Sequence, residues 1–307
     1  MYKLIYKIYF YKFNNPTLDS LLNRTMVRAS NILLPVWFYL TNQFKKYQLP
    51  NRKNTSRSTL IVSLTTFPAR INKVWLTIET ILRQEQLPDK IILWLYRGEF
   101  KDKTSLPKNL LHLEKRGLEI KFCKENLMPH KKYYYSMVNN PEASIITIDD
   151  DILYPPDLIK KLLLYHHKYM DSIISPYSRK INILNGEILL YKEWPFLKNS
   201  TGPSNNLLTL GGSGAFYPSK CLHPDVYNIS DLKNLALKAD DLWLKIMSIK
   251  NATKVVCIAG EYKKIFIPIL RKNNVRLMDC NINNNNNDKI FQNLTKFYNI
   301  PLTTWMK

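Results

Sequence analysis

Short apolar runs and amphipathic stretches alternate along the middle of the chain. Apolar residues recur at helical spacing over 71–82 and again after Pro155-Pro156, and a further helix is predicted from Asp240 to about Ile249. Strands are predicted where apolar and β-branched residues form short runs, at 60–64, 91–95, 118–122, 144–148, 172–175 and 254–259. Strands that alternate with helices indicate an α/β fold with a mostly parallel, twisted, Rossmann-like sheet flanked by helices.

A polar stretch at 51–58 predicts a linker and divides the chain into unequal parts. We expect an N-terminal extension over 1–58, a main domain over 59–265 and a C-terminal extension over 266–307 that packs on that domain. The asparagine-rich run at 283–287 has low complexity and predicts a loop.

The balance of charges favours an anionic partner. The 307 residues contain 45 Lys and Arg against 24 Asp and Glu, a net charge of +21. Such a charge suits nucleic acid, an acidic membrane surface or a phosphorylated small molecule. The four cysteines are far apart and form no C-x-x-C pair, which argues against a disulfide scaffold and favours a reducing compartment. The absence of G-x-G-x-x-G and Walker A sequences argues against dinucleotide oxidoreductases and P-loop NTPases.

The N-terminal extension is basic and aromatic. The extension contains ten Lys and Arg residues and a single acid, Asp19, together with eleven Tyr, Phe and Trp residues. This pattern suits a segment that lies on an anionic bilayer, and it equally suits a helical extension that packs on the main domain. The apolar run at 32–40 is far shorter than the about 20 residues of a spanning helix. No secretory signal pattern is recognised, so we expect a cytoplasmic protein.

Three consecutive aspartates, Asp149, Asp150 and Asp151, directly follow the apolar run at 144–148. Their position predicts the carboxyl end of a strand, which is the edge of an α/β sheet where ligands bind. If the chain stays extended, Asp149 and Asp151 share one face and Asp150 has the other. Because adjacent like charges repel, the cluster favours a cation, and its oxygen ligands suit Mg²⁺ or Mn²⁺ beside a substrate phosphate. A solvated acidic loop that caps the next helix is the alternative.

A second acidic pair, Asp240 and Asp241, lies at the predicted start of a helix. The helix dipole favours acidic residues in the first turn, so a helix cap is one interpretation. A carboxylate in a cleft can also accept the proton of a hydroxyl group. The pair is therefore a candidate general base, and the residues alone leave both interpretations open.

Two further segments are candidates for contact with an anionic ligand. Gly211, Gly212 and Gly214 are three of only eight glycines in the chain, and such a turn lets backbone N–H groups approach sugar or phosphate oxygens. Lys131 and Lys132 precede the acidic strand and could bind a diphosphate. A tight turn between strands and a solvated charged turn are the alternatives for these two segments.

The order of these segments along the chain resembles a known family. The set comprises the opening segment at 62–70, His130-Lys131-Lys132, the aspartates at 149–151, the glycines at 211–214 and Ala239-Asp240-Asp241. Together they resemble the GT-A-fold glycosyltransferases, in particular family 2-like bacterial enzymes of capsule and lipopolysaccharide assembly with a D-x-D motif. The resemblance spans residues 59–300 and leaves out the first 58 residues.

The resemblance implies a nucleotide-diphosphate-sugar donor at the carboxyl edge of the sheet. Asp149 would contact the ribose or donor sugar, and Asp151, with Asp149, would hold Mn²⁺ or Mg²⁺ against the diphosphate. The other residues implied in donor binding are Ser63, Thr65, Arg70, Lys131, Lys132, Asp150, Gly211 and Gly212.

The resemblance also implies a reaction and a place for it. Asp241, with Asp240 as the second candidate, would deprotonate the acceptor hydroxyl. The expected enzyme is a metal-dependent glycosyltransferase whose acceptor is a glycan or lipid-linked glycan in bacterial surface polysaccharide synthesis. Such an enzyme would be cytoplasmic and peripheral on the inner face of the cell membrane.

A sugar-nucleotide nucleotidyltransferase and a non-enzymatic polyanion binder are the alternative functions. A sugar-nucleotide nucleotidyltransferase normally has a loop rich in Gly and Arg or Lys after the first strand, where this chain has Thr65-Thr66-Phe67-Pro68. A non-enzymatic polyanion or nucleic-acid binder would explain the net charge of +21. It would not explain three aspartates at a strand end, which repel phosphate, so no nucleic-acid partner is expected.

Overall fold

The computed structural model describes residues 1–42, 47–50, 58–262, 266–270 and 286–306. Almost all of the predicted linker at 51–58 therefore lies outside the described residues. The helices are α1 Tyr2–Tyr9, α2 Pro16–Thr41, α3 Val74–Leu82, α4 Lys108–His112, α5 Tyr134–Asn139, α6 Leu158–Lys168, α7 Ile229–Ala236, α8 Asp240–Lys250 and α9 Asn286–Phe297.

The six runs predicted as strands form strands whose ends differ from the prediction by at most two residues, and the described residues contain eight further strands that the sequence did not predict. Those of the first half are β1 Leu60–Thr65, β2 Lys90–Tyr96, β3 Leu118–Cys123, β4 Ser144–Ile148, β5 Ile152–Leu153, β6 Ile173–Ser175 and β7 Ser178–Lys180. Those that follow are β8 Ile183–Leu184, β9 Glu187–Ile188, β10 Thr201–Ser204, β11 Leu207–Thr209, β12 Ser213–Tyr217, β13 Val255–Cys257 and β14 Ile267–Pro268.

Eight strands form one mixed, mostly parallel sheet in the order β10-β13-β6-β12-β4-β1-β2-β3. Parallel pairs join β1 to β2 and to β4, β2 to β3, and β13 to β6. Strand β12 runs antiparallel between β4 and β6, and β10 is antiparallel to β13. The predicted α/β class, with a mostly parallel sheet flanked by helices, is confirmed.

The central strands are mostly apolar on both sides because both faces of the sheet are covered. On β1, Ile61 packs in one hydrophobic cluster and Val62 in the other, and Ile145 and Ile146 of β4 divide in the same way. One cluster includes side chains of α3, α4 and α6, and the other includes side chains of α5, α7, α8 and α9. Continuous apolar runs therefore predicted these strands where strict alternation would have missed them.

The topology marks one edge of the sheet as a ligand crevice. From β1 the chain proceeds to β2 and β3 on one side, and it then returns to β4 on the other side of β1. Ligands of open α/β sheets bind at the carboxyl ends of the strands where the order reverses in this way. The residues that follow Thr65 on β1 and Ile148 on β4 lie at that position.

The N-terminal extension packs on the domain through one side of each of its helices. Tyr2, Ile5, Tyr6 and Tyr9 of α1 are buried, as are Leu34 and Phe38 of α2. The Tyr6 hydroxyl donates a hydrogen bond to the carbonyl of Leu153 on β5. Packing on the domain was one of the two interpretations of this segment. Among the described residues, no helix is long and apolar enough to cross a membrane.

The C-terminal residues contact the domain at two places. Strand β14 pairs antiparallel with β5, and Phe291 of α9 packs against Trp194 and Trp305. The loop predicted over 283–287 is wrong at its end, because Asn286 and Asn287 begin α9. Apolar Phe291 and Leu294 are buried on that helix and stabilise it despite the asparagines. Residues 283–285 lie outside the described residues.

Candidate active site

Four segments meet at the crevice where β1 and β4 end. They are the end of β1, the aspartates after β4, the glycine turn before β12, and the first turn of α8. The short helical turn Met128–Lys132 contributes Lys132 to the same place. The fold therefore brings together acidic, basic and glycine segments that lie far apart in the sequence.

Lys132 joins the two acidic segments. Its Nζ lies 3.0 Å from Asp149 Oδ1 and 2.8 Å from Asp240 Oδ2, and the side chain is only 6% exposed. Burial acts to lower the pKa of Lys132, but the charges of Asp149 and Asp240 outweigh it and hold the pKa well above its usual value. The ammonium group is thus a permanent positive charge in the crevice.

The neighbouring carboxylates of Asp240 and Asp241 have opposite pKa shifts. Burial acts to raise the pKa of Asp240, but Lys132 and His130 outweigh it, and the net pKa is lowered. Burial and the negative charge of Asp240 raise the pKa of Asp241 to about 7. Pairs of carboxylates separated in this way are typical of acid–base sites.

The glycine turn contacts both acidic segments. The Gly211 N–H donates to Asp241 Oδ1 at 2.8 Å, and the Thr147 hydroxyl donates to the Gly211 carbonyl at 2.8 Å. A Cβ atom on Gly212 would overlap the carboxylate of Asp149. Glycine at 212 therefore lets the backbone approach Asp149 more closely than any other residue would allow.

The aspartate triplet does not stay extended. The chain turns at Asp150 and Asp151, so the expected sharing of one face by Asp149 and Asp151 does not follow from strand geometry. Asp150 is 4% exposed and accepts hydrogen bonds from Thr66 Oγ1 and from Arg70, whose Nη1 lies 2.5 Å away. The same Arg70 atom lies 3.4 Å from Asp151 Oδ2. Arg70 therefore connects the end of β1 to the triplet.

Three of the predicted donor-binding residues lie away from this group. Ser63 is fully buried inside β1, and its hydroxyl is 2.7 Å from that of Ser136. The Thr65 hydroxyl donates to the carbonyl of Trp94 at 2.9 Å. Lys131 is buried and donates to Asn126 Oδ1 at 2.5 Å. Of the two lysines at 131 and 132, only Lys132 contacts the acidic residues of the crevice.

The carboxylate oxygens of Asp149 and Asp151 suit a divalent ion whose other ligands come from a bound phosphate group. In the described residues, no group of three or more His, Cys, Asp or Glu is placed to hold a metal ion. Asp149 and Asp151 offer hard carboxylate oxygens, and their side chains are 41% and 28% exposed. Mg²⁺ sites often use one or two carboxylates and complete the shell with substrate phosphates. The two residues fit that arrangement and not a site built from protein ligands alone.

Sequence reasoning missed two supporting residues that the fold brings to the site. The Tyr154 hydroxyl accepts a hydrogen bond from the Asp149 N–H at 2.8 Å and donates one to the Gly212 carbonyl. Thr66 holds Asp150 from the end of β1. Both residues lie next to segments that the sequence did single out, but nothing in the pattern identified their hydroxyl partners.

Lys245 is a third residue that sequence reasoning missed. It is buried on α8, and burial lowers its pKa to about 7. Among the described residues its Nζ has no hydrogen-bond partner. Lys245 and Asp241 both line a cavity of about 10 Å³, together with Thr209 and Tyr217. Its spacing of four residues from Asp241 on a helix was the only available signal.

This chain is distantly similar to known protein structures. No protein-family model and no curated protein matches the chain. Two structures of S. aureus TarS residues 1–349, the second in complex with UDP, are 14% identical, with TM-scores of 0.44 and 0.43. Each match covers 68% of this chain and 59% of the TarS chain, so this chain spans less than two thirds of those structures.

A third solved structure, of 4-diphosphocytidyl-2C-methyl-D-erythritol synthase, is 8% identical with a TM-score of 0.42. That match covers 73% of this chain and 99% of the synthase. None of the three reaches a TM-score of 0.5, so the fold of this chain rests on its own strand order and register.

Proposed function

We propose that this protein is a glycosyltransferase of the GT-A type, which transfers a sugar from a nucleotide-diphosphate donor to an acceptor hydroxyl. One observation carries the proposal: buried Lys132 bridges Asp149 and Asp240 beside Asp241, whose pKa is about 7. A positive charge suited to a diphosphate thus lies next to a carboxylate suited to accept a hydroxyl proton. The ordered motifs that resemble GT-A enzymes support the same function.

On the donor side, positive charge would stabilise the leaving group. Lys132 and Arg70 lie on either side of the aspartate triplet and would attract the donor diphosphate. Asp149 and Asp151 would hold Mn²⁺ or Mg²⁺ there. The metal ion, when bound, would neutralise negative charge on the departing diphosphate.

On the acceptor side, Asp241 would be the general base. Its carboxylate accepts the proton of the acceptor hydroxyl, whose oxygen forms the new bond to the anomeric carbon. The bond from that carbon to the diphosphate oxygen breaks, and the nucleoside diphosphate leaves with the electron pair. The Gly211 N–H orients the Asp241 carboxylate, and Asp240 remains ionised against Lys132. A pKa near 7 matches a base that works at neutral pH.

We extend the proposal to the acceptor and to the place of reaction. The acceptor is a glycan or lipid-linked glycan of a bacterial surface polysaccharide, and the enzyme works at the inner face of the cell membrane. The acceptor is supported by the family that the ordered motifs resemble. The location is supported by the basic, aromatic N-terminal extension.

The proposal is tested by titrating UDP-, GDP- and dTDP-sugars into the protein with Mn²⁺, with Mg²⁺ and with a chelator, and a CMP-sugar is the comparison that lacks a diphosphate. We expect one donor to bind in the presence of metal. Asp151→Asn should weaken that binding at least about tenfold, since a charge-assisted contact is lost. Asp225→Asn is the matched control, because Asp225 pairs with Lys250 at the far end of α8.

The reaction product separates the candidate enzymes. A glycosyltransferase releases a nucleoside diphosphate from the bound donor, whereas a nucleotidyltransferase makes pyrophosphate from a nucleoside triphosphate and a sugar phosphate. Pyrophosphate release with no turnover of any nucleotide sugar would overturn the proposal in favour of the nucleotidyltransferase. Failure of every donor to bind with either metal would show that the crevice is not a donor site.

A further inference from the structure

The outward side of α2 is apolar. Ser30, Leu34 and Phe38 face the domain and are fully buried. Large apolar side chains on the other side of the helix are 45% to 69% exposed: Leu18, Leu21, Ile32, Leu33, Val36, Tyr39 and Leu40. We call these seven residues the α2 face. Their spacing of three, four and seven residues places them on one broad side of the helix.

Such a helix differs from an ordinary surface helix. A helix that packs on a domain normally presents polar residues to water, and a helix that is apolar on both sides is normally covered on both. The described residues contain 22 exposed large apolar side chains, and 12 of them lie within the first 40 residues. Large contiguous apolar patches mark interaction surfaces. The concentration in the first 40 residues, seven of them on the α2 face, therefore indicates a partner for this segment.

The charges beside the α2 face indicate the chemistry of that partner. Arg28 shares the face, since it lies seven residues after Leu21 and four before Ile32, and Arg24 lies one turn earlier. Lys7 and Lys12, which precede α2 in the chain, are also exposed. The only acid among the first 42 residues is Asp19, whose carboxylate accepts the N–H of Phe13 at 2.8 Å. An apolar surface edged by cations is complementary to anionic lipid.

We propose that the α2 face docks on an anionic lipid bilayer, with α2 parallel to the membrane surface. The apolar side chains enter the boundary between headgroups and acyl chains, and Arg24 and Arg28 remain at the level of the lipid phosphates. A second copy of this chain is the less favoured occupant, because pairing two such faces would bring the cations of both copies together.

Docking through α2 would also hold the crevice near the membrane. The Asn31 side chain on α2 donates to the Pro268 carbonyl at 2.9 Å and accepts the Leu270 N–H at 2.8 Å. Pro268 belongs to β14, which pairs with β5, and β5 begins directly after Asp151. The presentation of a lipid-linked acceptor to the crevice rests on the proposed function, whereas docking itself does not.

The test is sedimentation of the full chain with vesicles of phosphatidylcholine alone or mixed with phosphatidylglycerol. We expect binding to the anionic vesicles, and the double variant Ile32→Glu/Val36→Glu should bind at least about tenfold more weakly, since two buried apolar contacts are replaced by repelled charges. The matched control is Leu164→Glu/Met170→Glu, because these side chains are 64% and 66% exposed elsewhere. The control should bind like the wild type.

A second pair of variants tests the two parts of the surface separately. Arg24→Gln/Arg28→Gln should weaken binding to anionic vesicles and reduce its dependence on salt, because fewer cations meet the lipid phosphates. Ile32→Ser/Val36→Ser adds no charge and should weaken binding to a smaller extent than the glutamates. Circular dichroism and thermal unfolding verify that each variant is folded.

Three outcomes would overturn the proposal. The first is that the wild type does not bind anionic vesicles, and the second is that a folded variant of the α2 face binds them as well as the wild type does. The third is that the wild type is a dimer, which the glutamate variant dissociates, and that neither protein binds lipid. No donor or acceptor enters the assay, so failure here is distinct from failure of the glycosyltransferase proposal.

Discussion

The backbone N–H of Gly211 donates a hydrogen bond to Oδ1 of Asp241 over 2.8 Å. This contact joins the glycine turn before β12 to the first turn of α8, 30 residues later in the chain. Because the amide fixes one carboxylate oxygen, Asp241 has a defined orientation at the crevice even though it begins a helix. The hydrogen bond therefore links the two segments whose functional interpretation the sequence left open.

Asp241→Asn removes the proposed base with almost no change of shape. We expect kcat to fall by about 10²- to 10⁴-fold, because general base catalysis contributes that much, while donor affinity is unchanged. Initial rates and donor titration with the purified protein measure the two effects. Asp225→Asn should leave both unaltered, and wild-type turnover by Asp241→Asn would exclude Asp241 as the base.

The pKa of Asp241, raised to about 7 by burial and by Asp240, predicts two dependences on pH. The rate should rise as the pH passes through about 7, because only the ionised carboxylate accepts a proton. The folded state holds that proton more tightly than the unfolded chain, so the free energy of unfolding should fall as the pH rises from about 4 to about 7. The pH dependence of the rate should be absent in Asp241→Asn. The stability slope should become smaller but not vanish, because burial also raises the pKa of Asp150 to about 6. Rate profiles and urea unfolding at several pH values measure them.

Gly212→Ala should disrupt the crevice, because the added Cβ overlaps the Asp149 carboxylate. Displacement of Asp149 breaks its contact with Lys132, so we expect donor affinity to fall at least about tenfold. Gly186→Ala is the comparison, since a Cβ there meets nothing within 4 Å. Its positive φ should cost about 1 kcal/mol of stability with no effect on donor binding. Equal donor affinity in the two variants would contradict the role of Gly212.

Lys132→Met leaves Asp149 and Asp240 without their shared cation. Loss of one member of a buried ion pair costs about 3–5 kcal/mol, and we expect urea unfolding to show a decrease of that size. The double variant Lys132→Met/Asp240→Asn should recover part of the lost stability, because the uncompensated carboxylate is gone. A single variant as stable as the wild type would show that the bridge does not stabilise the fold.

Lys245→Met should stabilise the protein. Burial lowers the pKa of Lys245 to about 7, so the unfolded chain binds its proton more tightly than the folded state does between about pH 7 and 10. The free energy of unfolding of the wild type should therefore rise with pH over that range, and Lys245→Met should lack this rise. At pH 7 we expect a gain on the order of 1 kcal/mol or more. A loss of stability at pH 7 would contradict this account of the buried lysine.

Local sequence determined the elements that frame the site. The β-branched run 144–148 and the aspartates after it specified β4 and the acidic residues at its carboxyl end. The start of α8 at Asp240 followed from apolar spacing and acidic residues in the first turn. These predictions were correct because periodicity and turn residues act within a few neighbours. The asparagines at 286–287 were misassigned because the apolar residues that stabilise α9 come later in the chain.

Only the tertiary structure decided how the predicted residues act together. Lys131 and Lys132 are equivalent in the sequence, yet Lys132 alone bridges Asp149 and Asp240, which lie 17 and 108 residues further along the chain. Asp150 binds Arg70 and Thr66, and the outward side of α2 remains apolar after its inner side is buried. Desolvation and charge pairing depend on distances that the whole fold sets, so sequence spacing could propose these residues but could not assign their partners or their pKa values.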